Sequence, residues 1–204
     1  MRYTVLLFLF HVAFGDVDNQ ECPLWANQPN LGKYQDAWKT LCKSNGTRYF
    51  LVRSTFNSHL AWGKNFTCVN ARAMTVDDKN KTVQSFLTFR NGSGGSIYNF
   101  TATLGVAKTY GYNIENAIQF TLPNGTSLSD PVIFSDYKTC VVLSVPFEKD
   151  GAGCELWVNK DHLESIPDCC NFIFDAFCVI AGNYTVYDKI NCADVLADKK
   201  NEGC

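Results

Sequence analysis

Residues 153–159 read GCELWVN, and this stretch has the length and composition of a β-strand. Side chains alternate between the two faces of a strand, so Glu155 and Trp157 share one face, opposite Cys154 and its apolar neighbours. A surface strand carries an acid and a tryptophan at no cost. An inward face would instead place a carboxylate beside an aromatic ring, an arrangement that suits a cation. The rest of the sequence is needed to distinguish between these alternatives.

Seven preceding segments are also rich in Phe, Tyr, Val, Ile and Thr and indicate strands. They are 48–56, 66–74, 83–89, 97–104, 117–122, 128–135 and 139–146. Turn sequences such as Asn91-Gly92 and Pro123-Asn124-Gly125 separate several of them at hairpin-scale spacing.

Helical periodicity flanks the strands on both sides. Before them, an apolar stripe with helical spacing predicts a short helix that ends at Asn45-Gly46; its members are Tyr34, Trp38, Leu41 and Cys42. A second stripe follows Pro167 and consists of Cys170, Phe174, Phe177, Cys178 and Ala181. We therefore predict an all-β fold, an eight-stranded antiparallel barrel with a short N-terminal helix and a C-terminal helix packed outside. A β-sandwich is the alternative, and the meander-like spacing favours the barrel.

Two strands place a carboxylate on a face that is otherwise apolar. The sequon at Asn99 requires an outward asparagine, so Phe100 and Ala102 point inward. By the same alternation, Asp130 lies between Leu128 and Val132. An unpaired carboxylate in an apolar interior is strongly disfavoured, so it needs either an internal basic residue or a cationic ligand. Few basic residues fall on the inward faces.

The N-terminal residues 1–15 have the features of a secretory signal peptide, with Arg2 before a short apolar run, which leaves 16–204 as a single domain. The ten cysteines then indicate disulfides, and the absence of a Cys-x-x-Cys pair argues against a metal or a cofactor.

Seven sequons predict glycosylation, at Asn45, Asn65, Asn80, Asn91, Asn99, Asn124 and Asn183. A net charge of −2 without a basic run argues against nucleic acid or an anionic membrane as partner.

No catalytic motif is present, neither a nucleotide-binding loop nor a nucleophile elbow nor a zinc-binding helix. His59 and His162 are the only histidines beyond the signal peptide, and both are more typical of loop residues than of general bases. We therefore predict that the protein is not an enzyme.

Ten short runs carry a resemblance to a known family. They are Gln35-Asp36-Ala37-Trp38-Lys39, Trp62-Gly63, Asn65-Phe66-Thr67-Cys68, Tyr110-Gly111-Tyr112-Asn113, Glu115-Asn116-Ala117, Ser135-Asp136, Cys140, Val145-Pro146, Glu155-Leu156-Trp157 and Ile166-Pro167. In their order and spacing, from Gln35 to about Pro167, the chain resembles the tick salivary lipocalins and, within them, the histamine-binding proteins. The resemblance implies an eight-stranded barrel and a secreted salivary protein that sequesters host histamine, with serotonin as a further ligand, to suppress inflammation at the feeding site.

The resemblance also implies a set of ligand-binding residues inside the barrel. These positions are Phe56, His59, Trp62, Ala102, Ile118, Phe120, Leu128, Asp130, Val141, Glu155 and Trp157. In the histamine binders, acids and aromatic rings hold two amines in two pockets. Here His59, Ala102 and Val141 stand where acids are expected, whereas Asp130 and Glu155 keep the family chemistry. We therefore expect one amine per chain.

Two other functions stay open. Loss of acids favours a carrier of a hydrophobic ligand such as a leukotriene, fatty acid or sterol, and the sequons are compatible with a glycosylated binder of a host immune protein. For the cysteines, the resemblance implies the pairs Cys68–Cys192, Cys140–Cys170 and Cys154–Cys178. Cys22, Cys42, Cys169 and Cys204 are left over, so two more bridges or a disulfide-linked homodimer are alternatives.

Overall fold

The structure is a computed structural model that describes residues 22–92, 95–121 and 125–196. The predicted signal peptide, the sequon at Asn124 and Cys204 lie outside the described residues. In chain order the strands are β1 (Arg48–Ser54), β2 (Ser58–His59), β3 (Gly63–Lys64), β4 (Thr67–Asp77), β5 (Thr82–Arg90), β6 (Ile97–Ala107), β7 (Ala117–Thr121), β8 (Ser127–Ser135), β9 (Cys140–Val145), β10 (Gly153–Asn159) and β11 (Tyr184–Thr185). The α-helices are α1 (Gln28–Leu31), α2 (Ala37–Lys43), α3 (Asp168–Phe177) and α4 (Ala193–Leu196), and 3-10 turns occupy Gly32–Tyr34, Lys149–Gly151, Lys160–His162 and Val179–Ala181.

Eight antiparallel strands close into a barrel. The sheet runs β10-β9-β8-β7-β6-β5-β4-β1, and β1 pairs back onto β10 with Phe50 opposite Val158. Closure removes the two free edges that a sandwich would leave, so the predicted barrel is confirmed and the sandwich is excluded. Among the described residues, no helix is long and apolar enough to cross a bilayer.

Helix α2 covers one end of the barrel, and it begins three residues later than predicted. Asp36 is its N-cap, where the side chain accepts a hydrogen bond from the Lys39 backbone N–H at 2.8 Å. Ala37 and Leu41 are buried and pack into the barrel interior. Tyr34 lies in the preceding 3-10 turn, so its assignment to the helix was wrong: the Asp36 cap starts a new helix there.

Helix α3 packs against the outside of the barrel and creates a second apolar core. Outward-facing Leu156 and Val158 of β10 contact buried Cys170 and Phe174 of α3 there. Phe177, predicted on the buried stripe, is instead 38% exposed, because the α-helix ends at this residue and a 3-10 turn follows. The two cores explain why β10 is buried on both faces: one face meets the interior and the other meets α3.

Three disulfides connect the C-terminal segment to the barrel, in the pairs that the resemblance implies. They join Cys68 to Cys192, Cys140 to Cys170 and Cys154 to Cys178. Cys68 sits at an irregularity in the β4–β5 register with a φ of +56°, a bulge that re-aims its side chain toward the C-terminal segment. Cys22, Cys42 and Cys169 form no disulfide with another of the described residues.

Candidate functional site

The barrel encloses a cavity of about 910 Å³, bounded at one end by α2 and at the other by the turn between β2 and β3. Nine of the eleven residues expected to bind ligand line it; they are His59, Trp62, Ala102, Ile118, Phe120, Asp130, Val141, Glu155 and Trp157. Phe56 and Leu128 are not among the lining residues. Phe56 is buried behind the His59 ring, and Leu128 pairs with Phe120 near the start of β8.

Glu155 is the central acid of the cavity and is only 3% exposed. Its Oε2 accepts a hydrogen bond from Trp157 Nε1–H at 2.8 Å, while its Oε1 has no partner among the described residues. Burial raises the pKa of Glu155 to about 7 and outweighs the lowering by the N–H groups of Trp157 and Trp62. The Trp62 Nε1–H stops short of a hydrogen bond and is itself without a partner in the described chain. An indole-bound carboxylate with one free oxygen is therefore available to a ligand.

Asp130 is the second acid, and the sheet register brings it close to the first. Glu155 pairs with Leu143, and Leu143 pairs with Val132, two residues beyond Asp130 on the same face. Asp130 Oδ1 is buried and has no partner in the part of the chain that the structure describes. Burial, followed by the charge of Glu155, raises the pKa of Asp130 well above its usual value. The empty cavity therefore disfavours two negative charges, and a bound cation would relieve that cost.

His59 belongs to a stack of four rings at the end of the cavity that the β2–β3 hairpin bounds. Its imidazole lies 5.6 Å from the ring of Phe56 and 5.3 Å from that of Trp62, both nearly parallel, and Phe100 continues the stack beyond Trp62. The short β2–β3 hairpin positions the ring, with His59 paired to Gly63, whose φ of +77° favours glycine. Burial lowers the pKa of His59 to about 4, so the ring is neutral at physiological pH.

The remaining wall of the cavity is mainly apolar. Among the described residues that line it, none is Lys or Arg, and Asp130 and Glu155 are the only acids. The structure also adds wall residues that sequence reasoning missed, among them Ala71, Ala73, Ser85 and Leu87. The alternation of Val83, Ser85 and Leu87 along β5 was the available signal for their inward face.

One other cluster has metal-ligating atoms. Asp136 lies beside Cys140 and Cys170, but the two sulfur atoms are bonded to each other in a disulfide. The Asp136 carboxylate accepts hydrogen bonds from the backbone N–H groups of Lys138, Thr139 and Cys140, so its role is to hold the turn before β9.

Comparison with known proteins agrees with this geometry. The family model of the tick histamine-binding protein matches residues 25–194. A male-specific histamine-binding salivary protein of Rhipicephalus appendiculatus is 38% identical over 76% of this chain and 78% of its own length. The female-specific histamine-binding protein 1 of the same tick is 35% identical over 72% of this chain and 77% of its own length.

Among solved structures, insecticyanin from the tobacco hornworm Manduca sexta has the same fold. Its TM-score is 0.52 at 14% sequence identity, covering 74% of this chain and 82% of that chain. The family and both tick relatives are named as histamine-binding proteins and not as enzymes. The chain belongs to the tick histamine-binding protein family.

Proposed function

We propose that the protein is secreted in saliva, after loss of residues 1–15, and sequesters one molecule of a host biogenic amine inside its barrel. Histamine is the first candidate and serotonin the second, and removal of either would suppress inflammation at a feeding site. Glu155 and Asp130 act as the counter-ions for the ammonium group, and Trp157 and Trp62 supply aromatic surface beside it.

The observation that carries this proposal is a pair of buried carboxylates with unpaired oxygens facing a cavity without a described basic side chain. A structural ion pair would leave a Lys or Arg beside these acids. Without one, ionised Asp130 and Glu155 carry a desolvation cost, which either protonation or a bound cation removes. An ammonium group donates three hydrogen bonds and neutralises the charge, so it matches both free oxygens.

A neutral hydrophobic ligand such as a sterol is the second candidate function. The mainly apolar wall and the volume of about 910 Å³ favour it. Fatty acids and leukotrienes fit less well, because the two acids would repel a ligand carboxylate and no described cavity residue would neutralise it. The third alternative, a glycosylated binder of a host immune protein, is supported by the exposure of six sequon asparagines on the described surface.

Calorimetric titration of the glycosylated protein with histamine and with serotonin tests the proposal. We expect one amine per chain, because Ala102 and the neutral His59 add no negative charge to the cavity beyond that of Asp130 and Glu155. Native mass spectrometry of the freshly purified protein provides the control for a co-purified neutral lipid. Two amines per chain would contradict the charge argument, and a lipid with no amine binding would favour the second candidate.

Amine binding is expected to weaken as the pH falls from 8 to 5. The pKa of Glu155 is about 7 in the empty cavity, so acidification neutralises the counter-ion while the amine keeps its charge. Below pH 7 the dissociation constant should rise by up to about tenfold per pH unit. His59, with a pKa of about 4, does not titrate in this range, and burial raises the pKa of Asp130, so protonation of Asp130 weakens amine binding in the same direction as protonation of Glu155.

Tryptamine is the best probe for this pH series, since its single basic group stays protonated and no ring of the ligand titrates. Glu148 also lies near Glu155 and shifts its pKa, so Glu148→Gln is a useful second protein: its binding curve should keep the same shape. An affinity that is independent of pH between 8 and 5 would contradict the assignment of Glu155 as counter-ion.

A further inference from the structure

The hydrogen bonding of His59 determines which of its two ring nitrogens carries the proton. The Ala61 backbone N–H donates a hydrogen bond to His59 Nδ1 at 3.1 Å, so Nδ1 is the unprotonated nitrogen. The neutral ring therefore carries its proton on Nε2. Protonation of Nδ1 would set two N–H groups against each other, which makes this a fixed donor rather than a group that switches between donor and acceptor.

The same ring can meet a ligand only along its edge. Phe56 and Trp62 lie nearly parallel to the imidazole, at 5.6 Å and 20° and at 5.3 Å and 19°, and Phe66 and Phe147 contact it at steeper angles. His59 lines the cavity, is 6% exposed, and has no further hydrogen bond within the described part of the chain. Nε2–H is thus a pre-oriented donor whose position the ring stack and the Ala61 contact hold.

This donor lies near the counter-ion but is separate from it. Both groups adjoin the Trp62 indole: His59 stacks on its face, and Glu155 lies near enough to its Nε1–H for that group to lower the Glu155 pKa. Ala102, also in the wall, adds no charge to this end of the cavity.

We propose that the His59 Nε2–H forms a neutral subsite that selects arylalkylamines carrying a hydrogen-bond-accepting oxygen at the end remote from the ammonium group. The inference rests on the proposed function, since it places the ammonium group at Glu155. A ligand bound in this way has its cation at the carboxylate and its oxygen at the imidazole edge. The neutral imidazole then equips this end of the cavity to bind an uncharged hydrogen-bond acceptor rather than a second cation.

Serotonin and tryptamine are the sharpest pair of probes, because they differ only in one hydroxyl group. We expect the wild-type protein to bind serotonin roughly tenfold more tightly than tryptamine, which corresponds to about 1.4 kcal/mol. Histamine is a less decisive probe, since its own ring nitrogen also accepts hydrogen bonds.

Two variants separate the donor from the ring. His59→Phe keeps an aromatic ring in the stack and removes the N–H, so the ratio of serotonin affinity to tryptamine affinity should fall about tenfold, to near one. His59→Gln retains an N–H donor at a similar reach and should keep part of the preference. Circular dichroism and denaturant unfolding of both variants provide the check that they are folded.

The outcomes distinguish the subsite from the proposed function. Equal wild-type affinities for serotonin and tryptamine, or a preference that survives His59→Phe, would overturn the subsite and leave amine binding intact. Failure of serotonin and tryptamine to bind the wild-type protein would overturn the subsite, and failure of histamine to bind as well would overturn the proposed function. A preference that falls in His59→Phe and is retained in His59→Gln supports the inference.

Discussion

Removal of the Cys68–Cys192 disulfide is expected to lower the free energy of unfolding more than removal of either other bridge. The bridge closes a loop with a sequence separation of 124 residues, whereas Cys154–Cys178 closes one of 24. In the chain-entropy description, these loops correspond to about 5 and about 3.5 kcal/mol, respectively. The longer bridge also holds the segment around α4 against β4, where Val195 completes a small apolar cluster with the two cysteines.

The two double variants Cys68→Ala/Cys192→Ala and Cys154→Ala/Cys178→Ala form a matched pair. All four cysteines are buried, so the two variants lose similar packing. The difference between their free energies of unfolding therefore measures the difference in loop-closure entropy. Denaturant unfolding at neutral pH should show the first variant to be less stable than the second by about 1–1.5 kcal/mol. A larger loss in the second variant would mean that packing of α3 against β10 outweighs the loop-closure term.

The barrel strands could be predicted because their main determinant is local. Alternating side chains and turn residues identify each strand, and an exposed sequon such as Asn99 indicates which face is outward.

Helix ends were harder to predict from the sequence. The periodicity of Tyr34 and Trp38 continues across Asp36, but the Asp36 side chain caps the Lys39 N–H and begins a new helix. A cap of this kind overrides apolar spacing.

The chemistry of the cavity depended on contacts that sequence spacing does not show. Asp130 and Glu155 lie on strands separated by β9, and only the register through Leu143 brings their environments together. His59 could be identified as a departure from the family pattern, but its neutral state and its Nε2 proton follow from the Ala61 N–H and the flanking rings. The hairpin that makes both contacts was not among the predicted strands.

Glu155→Gln is expected to weaken amine binding and, in the empty protein, to increase stability. Gln keeps the shape of the side chain and an oxygen for the Trp157 N–H but removes the charge that pairs with the ammonium group. The loss should be about 2–3 kcal/mol, or roughly 30- to 150-fold in the dissociation constant of tryptamine. Glu164→Gln makes the same chemical change at an exposed surface ion pair with Lys189 and should leave the affinity unchanged.

The stability of the same variant should change in the opposite direction. Because burial raises the Glu155 pKa from 4.5 to about 7, the ionised carboxylate destabilises the folded state above pH 7, and this cost disappears as the pH falls toward 4.5. Glu155→Gln avoids that cost, so its free energy of unfolding should exceed that of the wild type by about 2–3 kcal/mol at pH 8 and by much less at pH 5. Denaturant unfolding of the ligand-free proteins at both pH values gives the comparison. If the variant were less stable than the wild type at pH 8 and bound tryptamine equally well, Glu155 would be a structural acid. Weaker binding together with greater stability identifies Glu155 as a cation-binding residue that destabilises the ligand-free barrel.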